Sequence, residues 1–422
     1  MIAAIAPIVI ALISFLLRLS NLGSVKTFIF DEVYYVDGAR DLLKYGVEVT
    51  GSKPEFVVHP PVGKWMIALG IKIFGDNPVG WRISTALIGA LMILLIALIA
   101  HRLFRSPLLT GLASALMAVD GMALVHSRTA LLDNFLAFFI LTATYFFLTK
   151  RYWWTGVFLG IALATKWSAL YYILAFGLIA LYRAFTHHTG KQLLKPTVQR
   201  FGQFGLLPLV VYLTSWAGWF TSNRGWDRDH SSNIFASFIY YHQQILDFHT
   251  GLTDKHNYQA NPWSWLIMAR PTSFYYESPK GCGADSCSQE IIALGTPLLW
   301  WLATAALAFV IGLWIRSLFT HRFDPAITII ITGIVAGYLP WFFFQKRTVF
   351  SFYAITFEPF LILALVFAAR SILSAFKRSG EAVVAAIFIL IFLNFVYFLP
   401  IYLGDLITYD AWHARMWFPS WI

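Results

Sequence analysis

The sequence predicts an all-α protein that crosses a membrane about eleven times. Of its 422 residues, 59% are hydrophobic and only 12% are charged, whereas soluble domains have about 25% charged residues. The apolar residues also form blocks long enough to cross a hydrocarbon core of about 30 Å, which takes about 20 helical residues. A strand-built barrel would instead show short alternating segments. Helices are therefore the expected spanning elements.

The predicted spans divide the chain into a membrane-embedded start, a long loop and a membrane-embedded end. Segment 2–20 lacks the basic start and the small-residue cleavage site of a signal peptide, so we interpret it as the first span. The predicted spans are 2–20, 81–101, 107–125, 131–149, 152–164, 168–183, 203–221, 291–315, 325–343, 351–370 and 381–403.

The distribution of basic residues predicts the orientation. With a cytoplasmic N-terminus and an extracytoplasmic C-terminus, the inner loops contain only two acids, Asp324 and Glu381, but many arginines and lysines, which is a positive-inside pattern. These include Arg102, Arg105, Lys150, Arg151, Arg183, Arg316 and Arg370. The net charge of +10 is then a signal of topology in the cell membrane and gives no reason to expect a nucleic-acid partner.

Two long loops are predicted on the outer side, and we expect the chemistry there. The first, 22–80, belongs to an N-terminal transmembrane module over 1–222. The second covers 223–290, and a module of about four helices follows over 291–422. The stretch DEVYYVDGARDLLKYG in the first loop predicts a short helix that stops at Gly46. Cys282 and Cys287 lie in the second loop, where an oxidising exterior favours a short disulfide over free thiols.

Asp31 and Glu32 form the first candidate constellation. Adjacent carboxylates at a membrane–water boundary are costly unless they are solvated or paired, which favours a functional role. The alternative is a solvated helix start, since acidic residues favour the first turn of a helix.

Several arginines and lysines lie near the predicted outer ends of the spans. A lipid phosphate at the level of the headgroups needs cationic hydrogen-bond donors of this kind, although each one alone is more often an interfacial anchor. Lys166 differs, because it lies between two short apolar segments that resemble broken helices lining a cavity. In HPPVGKW, two prolines hold His59 and Lys64 rigidly, or simply mark the start of a helix.

The sequence lacks the usual motifs for binding a nucleotide, so an activated substrate would have to reach the site in another form. The sequence has no GxxxxGK[ST] loop, no dinucleotide motif and no zinc spacing of cysteines and histidines. A lipid-linked donor that arrives laterally through the bilayer fits a multi-span enzyme.

Acids and histidines of the outer loops, such as Asp227, Asp229, His230 and His256, could bind a divalent cation. Scattered loop residues of this kind are more often solvated, so we predict no required cofactor or metal.

Several sequence blocks, in order, resemble the bacterial protein O-mannosyltransferases, actinobacterial members especially, of the GT-C membrane glycosyltransferase group. The blocks are FDEVYYVDGARDLL, HPPVGKW, GWRISTALIGAL, SRTALLDNF, LATKWSALYY, NPWSWLIMARPTSFYYES, CGADSCSQEIIALGTPLLWW and FYAITFEPF. The resemblance implies a GT-C fold with eleven spans, a cytoplasmic N-terminus, an external C-terminus and short interfacial helices in the outer loops.

The resemblance also implies an activity and roles for residues. Family members take mannose from polyprenyl-phosphate-mannose and place it on Ser or Thr of exported proteins, and Asp31 matches the catalytic carboxylate. We expect Asp31 to act as the base and Glu32 to orient it or to bind substrate. The residues expected to bind the donor phosphate are Arg82, Lys166, Arg347, Lys64 and His59. The residues expected on the acceptor side or in its loops are Arg128, Asp133, Trp263 and Arg270. Membrane lipids and, during export, the secretion machinery are the other expected partners.

Two alternatives to protein mannosylation stay open. A GT-C enzyme that decorates a lipid or a cell-wall glycan would have the same carboxylates and cations, so the acceptor alone distinguishes it. A transporter or flippase would place polar residues near the bilayer midplane, usually with repeated halves. Here the polar residues cluster in two unequal outer loops and no repeat is visible, which favours the enzyme.

Overall fold

A computed structural model describes residues 2–422, with side chains from residue 5 onward. Backbone contacts divide the chain into two compact units that are discontinuous in sequence. The first unit contains Met1–Val25, Ala86–Thr129 and Lys255–Ile422, and the second contains Lys26–Thr85 and Ala130–Asp254. The division into three contiguous modules stays a prediction about topology.

The described chain is predominantly helical, as predicted. In chain order the α-helices are α1 (Ile2–Leu19), α2 (Glu32–Tyr45), α3 (Val62–Phe74), α4 (Pro78–Phe104), α5 (Pro107–Ala118), α6 (Gly121–His126), α7 (Leu132–Leu148), α8 (Tyr152–Leu163), α9 (Ala169–His187), α10 (Leu194–Phe201), α11 (Leu207–Ser215), α12 (Ala217–Thr221), α13 (Ile234–Gly251), α14 (Pro297–Thr320), α15 (Pro325–Tyr338), α16 (Glu358–Leu403) and α17 (Tyr409–His413). Tighter 3₁₀ turns cover Gly190–Leu193, Pro262–Ile267, Leu339–Phe344, Ser351–Thr356 and Pro419–Trp421, and Gly202–Leu206 is a π-helical turn.

Five short strands accompany the helices. In the second unit, β1 (Val49–Thr50) and β2 (Lys53–Pro54) form an antiparallel pair. In the first unit, β3 (Thr272–Glu277), β4 (Cys287–Ala293) and β5 (Leu406–Thr408) form an antiparallel sheet in the order β3-β4-β5. The predicted span over 291–315 therefore begins too early, because residues 291–293 belong to β4 and the helix begins at Pro297.

Five helical segments among the described residues are long and apolar enough to cross a membrane. They are Pro78–Phe104, Ala169–His187, Pro297–Thr320, Pro325–Phe344 and Glu358–Leu403. Four shorter apolar helices accompany them, namely Ile5–Leu19, Pro107–Ala118, Leu132–Leu148 and Tyr152–Leu163. The chain is thus a multi-pass membrane protein.

Several predicted spans are interrupted. The segment 107–125 is broken before Asp120, whose side-chain oxygen accepts a hydrogen bond from the Ala123 N–H and so begins a new helix, α6. The predicted spans 351–370 and 381–403 share the helix α16, with a break at Lys377, where φ is 47° and ψ is −121°. The break at Lys377 falls in the polar segment between the two predicted spans, whereas the break before Asp120 lies inside one predicted span.

The helix predicted in the first outer loop is confirmed as α2. It ends at Gly46, which has φ 73° and whose N–H donates to the Leu42 carbonyl. The left-handed backbone at this position favours glycine over residues with a Cβ atom. Helix α2 packs against α3 in the second unit, and this pair carries the first part of the candidate site.

Candidate active site

Four turns of the chain in the second unit lie at helix ends and are tied together. They cover residues 29–32 before α2, 59–63 before α3, 130–133 at the start of α7, and 164–167 between α8 and α9. The Val62 N–H donates to the Ala164 carbonyl at 3.1 Å, which joins the second turn to the fourth. A Cβ atom on Gly63 would lie 2.6 Å from Cδ2 of Leu132, so the glycine lets the second turn approach the third without a shift of the Leu132 side chain.

Glu32 is an anchor whose carboxylate is fully engaged. Arg82 donates from Nε to Oε1 at 2.8 Å and from Nη2 to Oε2 at 2.7 Å. Backbone N–H groups complete the set, from Ala130 to Oε1 at 2.8 Å and from Ile29 to Oε2 at 2.9 Å. The side chains of Glu32 and Arg82 are 0% and 1% exposed. Such a buried bidentate pair, with every carboxylate oxygen satisfied, fixes the start of α2 against α7.

Asp31, the neighbouring acid, has very different surroundings. It occupies the N-cap position of α2, but its carboxylate makes no capping hydrogen bond, and the residue is half-buried. Burial raises the pKa of Asp31 to about 6, and the nearby Asp133 carboxylate acts in the same direction. The Lys166 ammonium and a hydrogen bond from the Tyr35 hydroxyl oppose this rise in the pKa. A carboxylate with a pKa near neutral pH is suited to accept a proton.

The backbone before Asp31 is strained. Phe30 has φ 51°, in the left-handed region that costs a residue with a Cβ atom about 1–2 kcal/mol. Hydrogen bonds hold the chain on the N-terminal side of Phe30, from Arg82 Nη2 to the Thr27 carbonyl at 3.0 Å and from the Ile29 N–H to Glu32. The Glu32 anchor therefore maintains a conformation that directs the chain into Asp31.

Lys166 provides a fixed cation beside Asp31. Its Nζ lies 3.0 Å from both carboxylate oxygens of Asp133, and the side chains of the two residues are 13% and 4% exposed. The break between α8 and α9 that the sequence predicts at Lys166 is confirmed. Among the predicted site residues, the structure thus brings together Asp31, Asp133 and Lys166.

Aromatic and imidazole rings adjoin these charged groups. The ring of His59 lies 6.1 Å from Tyr35 and 5.2 Å from His249, and His249 lies 5.9 Å from Trp167. Sequence reasoning singled out His59 and missed the other three rings. A signal for His249 existed, because His242 and His249 are seven residues apart and so lie on one face of α13.

Two of the cations expected to bind phosphate are buried in ion pairs. Lys64 pairs with Glu48, with side-chain exposures of 3% and 8%, and burial raises the pKa of Glu48 against the opposing effect of Lys64. A Cβ atom on Gly38 would lie 2.7 Å from Glu48 Oε1, so the glycine makes room for this pair. Arg82 is committed to Glu32 and to the Thr27 carbonyl. Their phosphate contacts stay predictions, and the geometry favours structural roles.

The remaining predicted residues belong to the first unit. Arg128 donates to the carbonyls of Leu17, Arg18, Ser20 and Leu403 at 2.6–3.3 Å. Arg270 donates to the carbonyls of Asn257, Ser420 and Ile422. Trp263 is 61% exposed, and Arg347 is half-buried just after the 3₁₀ turn Leu339–Phe344. Cys282 and Cys287 are joined, with an S–S distance of 1.97 Å.

Arg128 and Arg270 therefore bind backbone carbonyls of their own unit, which favours structural roles over the expected acceptor contacts.

Within residues 2–422, no three His, Cys, Asp or Glu side chains are grouped in a way that could hold a metal ion.

Comparison with solved structures identifies the fold. The chain superposes on the Saccharomyces cerevisiae protein O-mannosyltransferase Pmt1–Pmt2 complex bound to the sugar donor with a TM-score of 0.85 at 15% identity, covering 100% of this chain and 93% of that one. It also matches ArnT from Cupriavidus metallidurans bound to undecaprenyl phosphate, with a TM-score of 0.56 at 17% identity over 93% of this chain and 70% of that one. The chain therefore shares the GT-C fold of these two membrane transferases.

Sequence comparison identifies the family within this class. Residues 8–221 match the family model described as dolichyl-phosphate-mannose-protein mannosyltransferase, and residues 234–421 match the C-terminal four TMM region of protein-O-mannosyltransferase. The chain is 34% identical to the polyprenol-phosphate-mannose–protein mannosyltransferase of Mycobacterium tuberculosis, over 98% of this chain and 90% of the relative. The homologue of Corynebacterium glutamicum is 32% identical over 98% and 92%. The chain belongs to the protein O-mannosyltransferase family.

Proposed function

We propose that this enzyme transfers mannose from polyprenyl-phosphate-mannose to Ser and Thr hydroxyls of exported proteins, with Asp31 as the general base. The relatives that cover nearly the whole chain are named for this donor and for protein acceptors. The observation that carries the role of Asp31 is its half-buried carboxylate, which makes no capping hydrogen bond at the N-cap position of α2 and has a pKa raised to about 6 beside Lys166.

The chemical step is a single displacement at the anomeric carbon. The acceptor hydroxyl oxygen forms a bond to this carbon, and its proton passes to the Asp31 carboxylate. The bond from the anomeric carbon to the phosphate oxygen breaks, and the polyprenyl phosphate leaves with the electron pair. Attack from the face opposite the leaving group inverts the anomeric configuration.

Lys166 stabilises the leaving phosphate in this proposal. Negative charge grows on the phosphate as the bond breaks, and a fixed cation stabilises that charge more in the transition state than in the ground state. Asp133 holds the Lys166 ammonium through both carboxylate oxygens, so little reorganisation is needed. His59 and His249, whose rings are 5.2 Å apart, are the next candidates to contact the donor.

We also propose about eleven spans with the site on the outer face. Five segments are long enough to cross alone, and helices such as α5 and α8 would cross in broken segments that neighbouring protein covers. A Ser52→Cys variant, changed in the first outer loop, should react with an impermeant maleimide in intact cells, and a Ser379→Cys variant should react only after lysis. The opposite labelling pattern would indicate the opposite orientation in the membrane.

Reconstituted transfer tests the function. The purified enzyme with polyprenyl-phosphate-mannose should mannosylate a Ser/Thr peptide and leave the same peptide with Ala at those positions unmodified. NMR should show an anomeric configuration opposite to that of the donor. A peptide left unmodified while donor is consumed on a lipid or glycan acceptor would overturn the protein acceptor.

One comparison supports that second candidate. A 132-residue region, 30% of this chain, is 38% identical to an undecaprenyl phosphate-alpha-4-amino-4-deoxy-L-arabinose arabinosyl transferase of Pseudomonas aeruginosa. The match covers only 23% of that protein, so the relatives that match nearly full-length favour protein acceptors. Accumulation of the lipid-linked sugar in proteoliposomes, without any covalent transfer product, would instead indicate a transporter.

A further inference from the structure

A chain of side-chain hydrogen bonds in the second unit ends on Trp167, the residue after Lys166. The Trp167 Nε1–H donates to the Tyr212 hydroxyl at 2.9 Å. The same hydroxyl lies 2.7 Å from Nε2 of His242, and Nδ1 of His242 lies 2.8 Å from the Phe238 carbonyl. Three elements therefore meet, namely the α8–α9 turn, α11 and α13, where Phe238 and His242 lie one helical turn apart.

The direction of each hydrogen bond follows from the groups involved. A carbonyl oxygen only accepts, so Nδ1 of His242 carries a hydrogen, and Nε2 of the neutral ring is an acceptor. An indole N–H only donates. The Tyr212 hydroxyl must therefore donate to His242 and accept from Trp167. Burial lowers the pKa of His242, which favours the neutral ring that this arrangement needs.

Trp167 lies between the groups proposed to act on the donor. It follows Lys166 directly in the short turn between α8 and α9. Its ring is 5.9 Å from that of His249, which is 5.2 Å from His59. The turn has only five residues between the two helices, so a hydrogen bond that holds the Trp167 ring also restrains the adjoining backbone at Lys166.

We propose that Tyr212 and His242 are positioning residues for mannosyl transfer. Through Trp167 they hold the Lys166 turn against Asp133, and they connect helix α13 of the second outer loop to the reacting groups. Neither residue touches substrate in this account. The inference rests on the proposed function, since it assumes that Lys166 acts on the leaving phosphate.

A double-mutant cycle tests the connection. Tyr212→Phe and Trp167→Phe each remove one partner of the 2.9 Å hydrogen bond while keeping an aromatic ring. Each should lower kcat about tenfold, within the loss that misplacement of a catalytic group by about 1 Å brings, and should leave the KM for polyprenyl-phosphate-mannose within about twofold. The double variant should be no slower than the slower single variant, because both changes break the same connection.

Tyr240→Phe is the matched control on α13. The Tyr240 ring stacks on His230 at 3.7 Å, away from the hydrogen-bond chain, and this variant should keep wild-type kcat. Independent losses that multiply in the double variant, or wild-type kcat in Tyr212→Phe, would overturn the inference.

Substitutions at His242 test the same chain if Tyr212→Phe folds poorly. His242→Phe has no acceptor for the Tyr212 hydroxyl and should lower kcat, whereas the carbonyl oxygen of His242→Gln can accept and should restore part of it. Equal kcat in the two variants would contradict a positioning role.

Asp31→Asn distinguishes failure of this inference from failure of the proposed function. If Asp31→Asn is inactive while the Tyr212 and His242 variants all have wild-type kcat, only the positioning role is wrong. If Asp31→Asn is fully active, the assignment of Asp31 as the base is wrong.

Discussion

The two acids that begin helix α2 have the same chemistry and opposite surroundings. Glu32 is fully buried, and its two oxygens receive two hydrogen bonds from Arg82 and two from backbone N–H groups. Asp31 is half-buried, makes no capping bond, and has a raised pKa. The comparison shows how one short sequence separates an anchor from a reactive group, since a satisfied carboxylate holds position and an under-solvated one is ready to take a proton.

The largest expected effect is at the reactive acid. Asp31→Asn should lower transfer by about 10²–10⁴-fold, the usual contribution of general base catalysis. Its thermal unfolding temperature should not fall, because an acid whose pKa is raised in the folded state destabilises that state once ionised at neutral pH. Asp37→Asn, which changes an exposed acid on the same helix, should retain wild-type activity.

Wild-type turnover of Asp31→Asn on polyprenyl-phosphate-mannose and a peptide would remove Asp31 as the base. Lost activity together with an unfolding temperature well below wild type would make Asp31 a second anchor, and the contrast with Glu32 would disappear.

The anchor should respond through stability instead. Arg82→Ala leaves the Glu32 carboxylate buried without its cation and should cost about 3–5 kcal/mol of folding free energy. Arg40→Ala is the control, because Arg40 pairs with Asp37 and Asp76 at the surface, where such pairs contribute about 0–1 kcal/mol. Thermal unfolding in detergent measures both. A stable Arg82→Ala that has lost donor affinity would restore Arg82 as a phosphate ligand.

A smaller effect is expected at the cation beside Asp31. Lys166→Ala removes the fixed charge proposed to stabilise the leaving phosphate and should lower kcat about 10²-fold, similar to the loss of one electrostatic donor in other enzymes. Lys72→Ala, at an exposed lysine in the last turn of α3, should have no effect. Unchanged kcat in Lys166→Ala would move phosphate stabilisation to another group, with Arg347 and His59 the remaining predictions.

The sequence predicts the parts of this account that depend on local patterns. Hydrophobic blocks predict the membrane helices, DEVYYVDGARDLLKYG predicts α2 with its stop at Gly46, and two short apolar blocks predict the break at Lys166. Each follows from residues within one or two helical turns of each other, where periodicity and helix-stop signals act.

Local sequence patterns could not predict which acid would be buried and fully paired, and only the family resemblance singled out Asp31 as the base. Glu32 receives its hydrogen bonds from Arg82 and Ala130, which are 50 and 98 residues away along the chain. The same limit applies to His249, which meets His59 across 190 residues. Such pairings depend on how helices pack, and an apolar pattern shared by many helices does not specify the partner.

The pH dependence of transfer by the wild-type enzyme and Asp31→Asn tests the role of Asp31 most directly. Because the pKa of Asp31 is raised to about 6 and the base must be ionised, kcat/KM of the wild type should rise with pH through about 6 and level off above it. The residual rate of Asp31→Asn should lack this rise. The same acidic limb in both enzymes would assign the titration to another group and contradict the account.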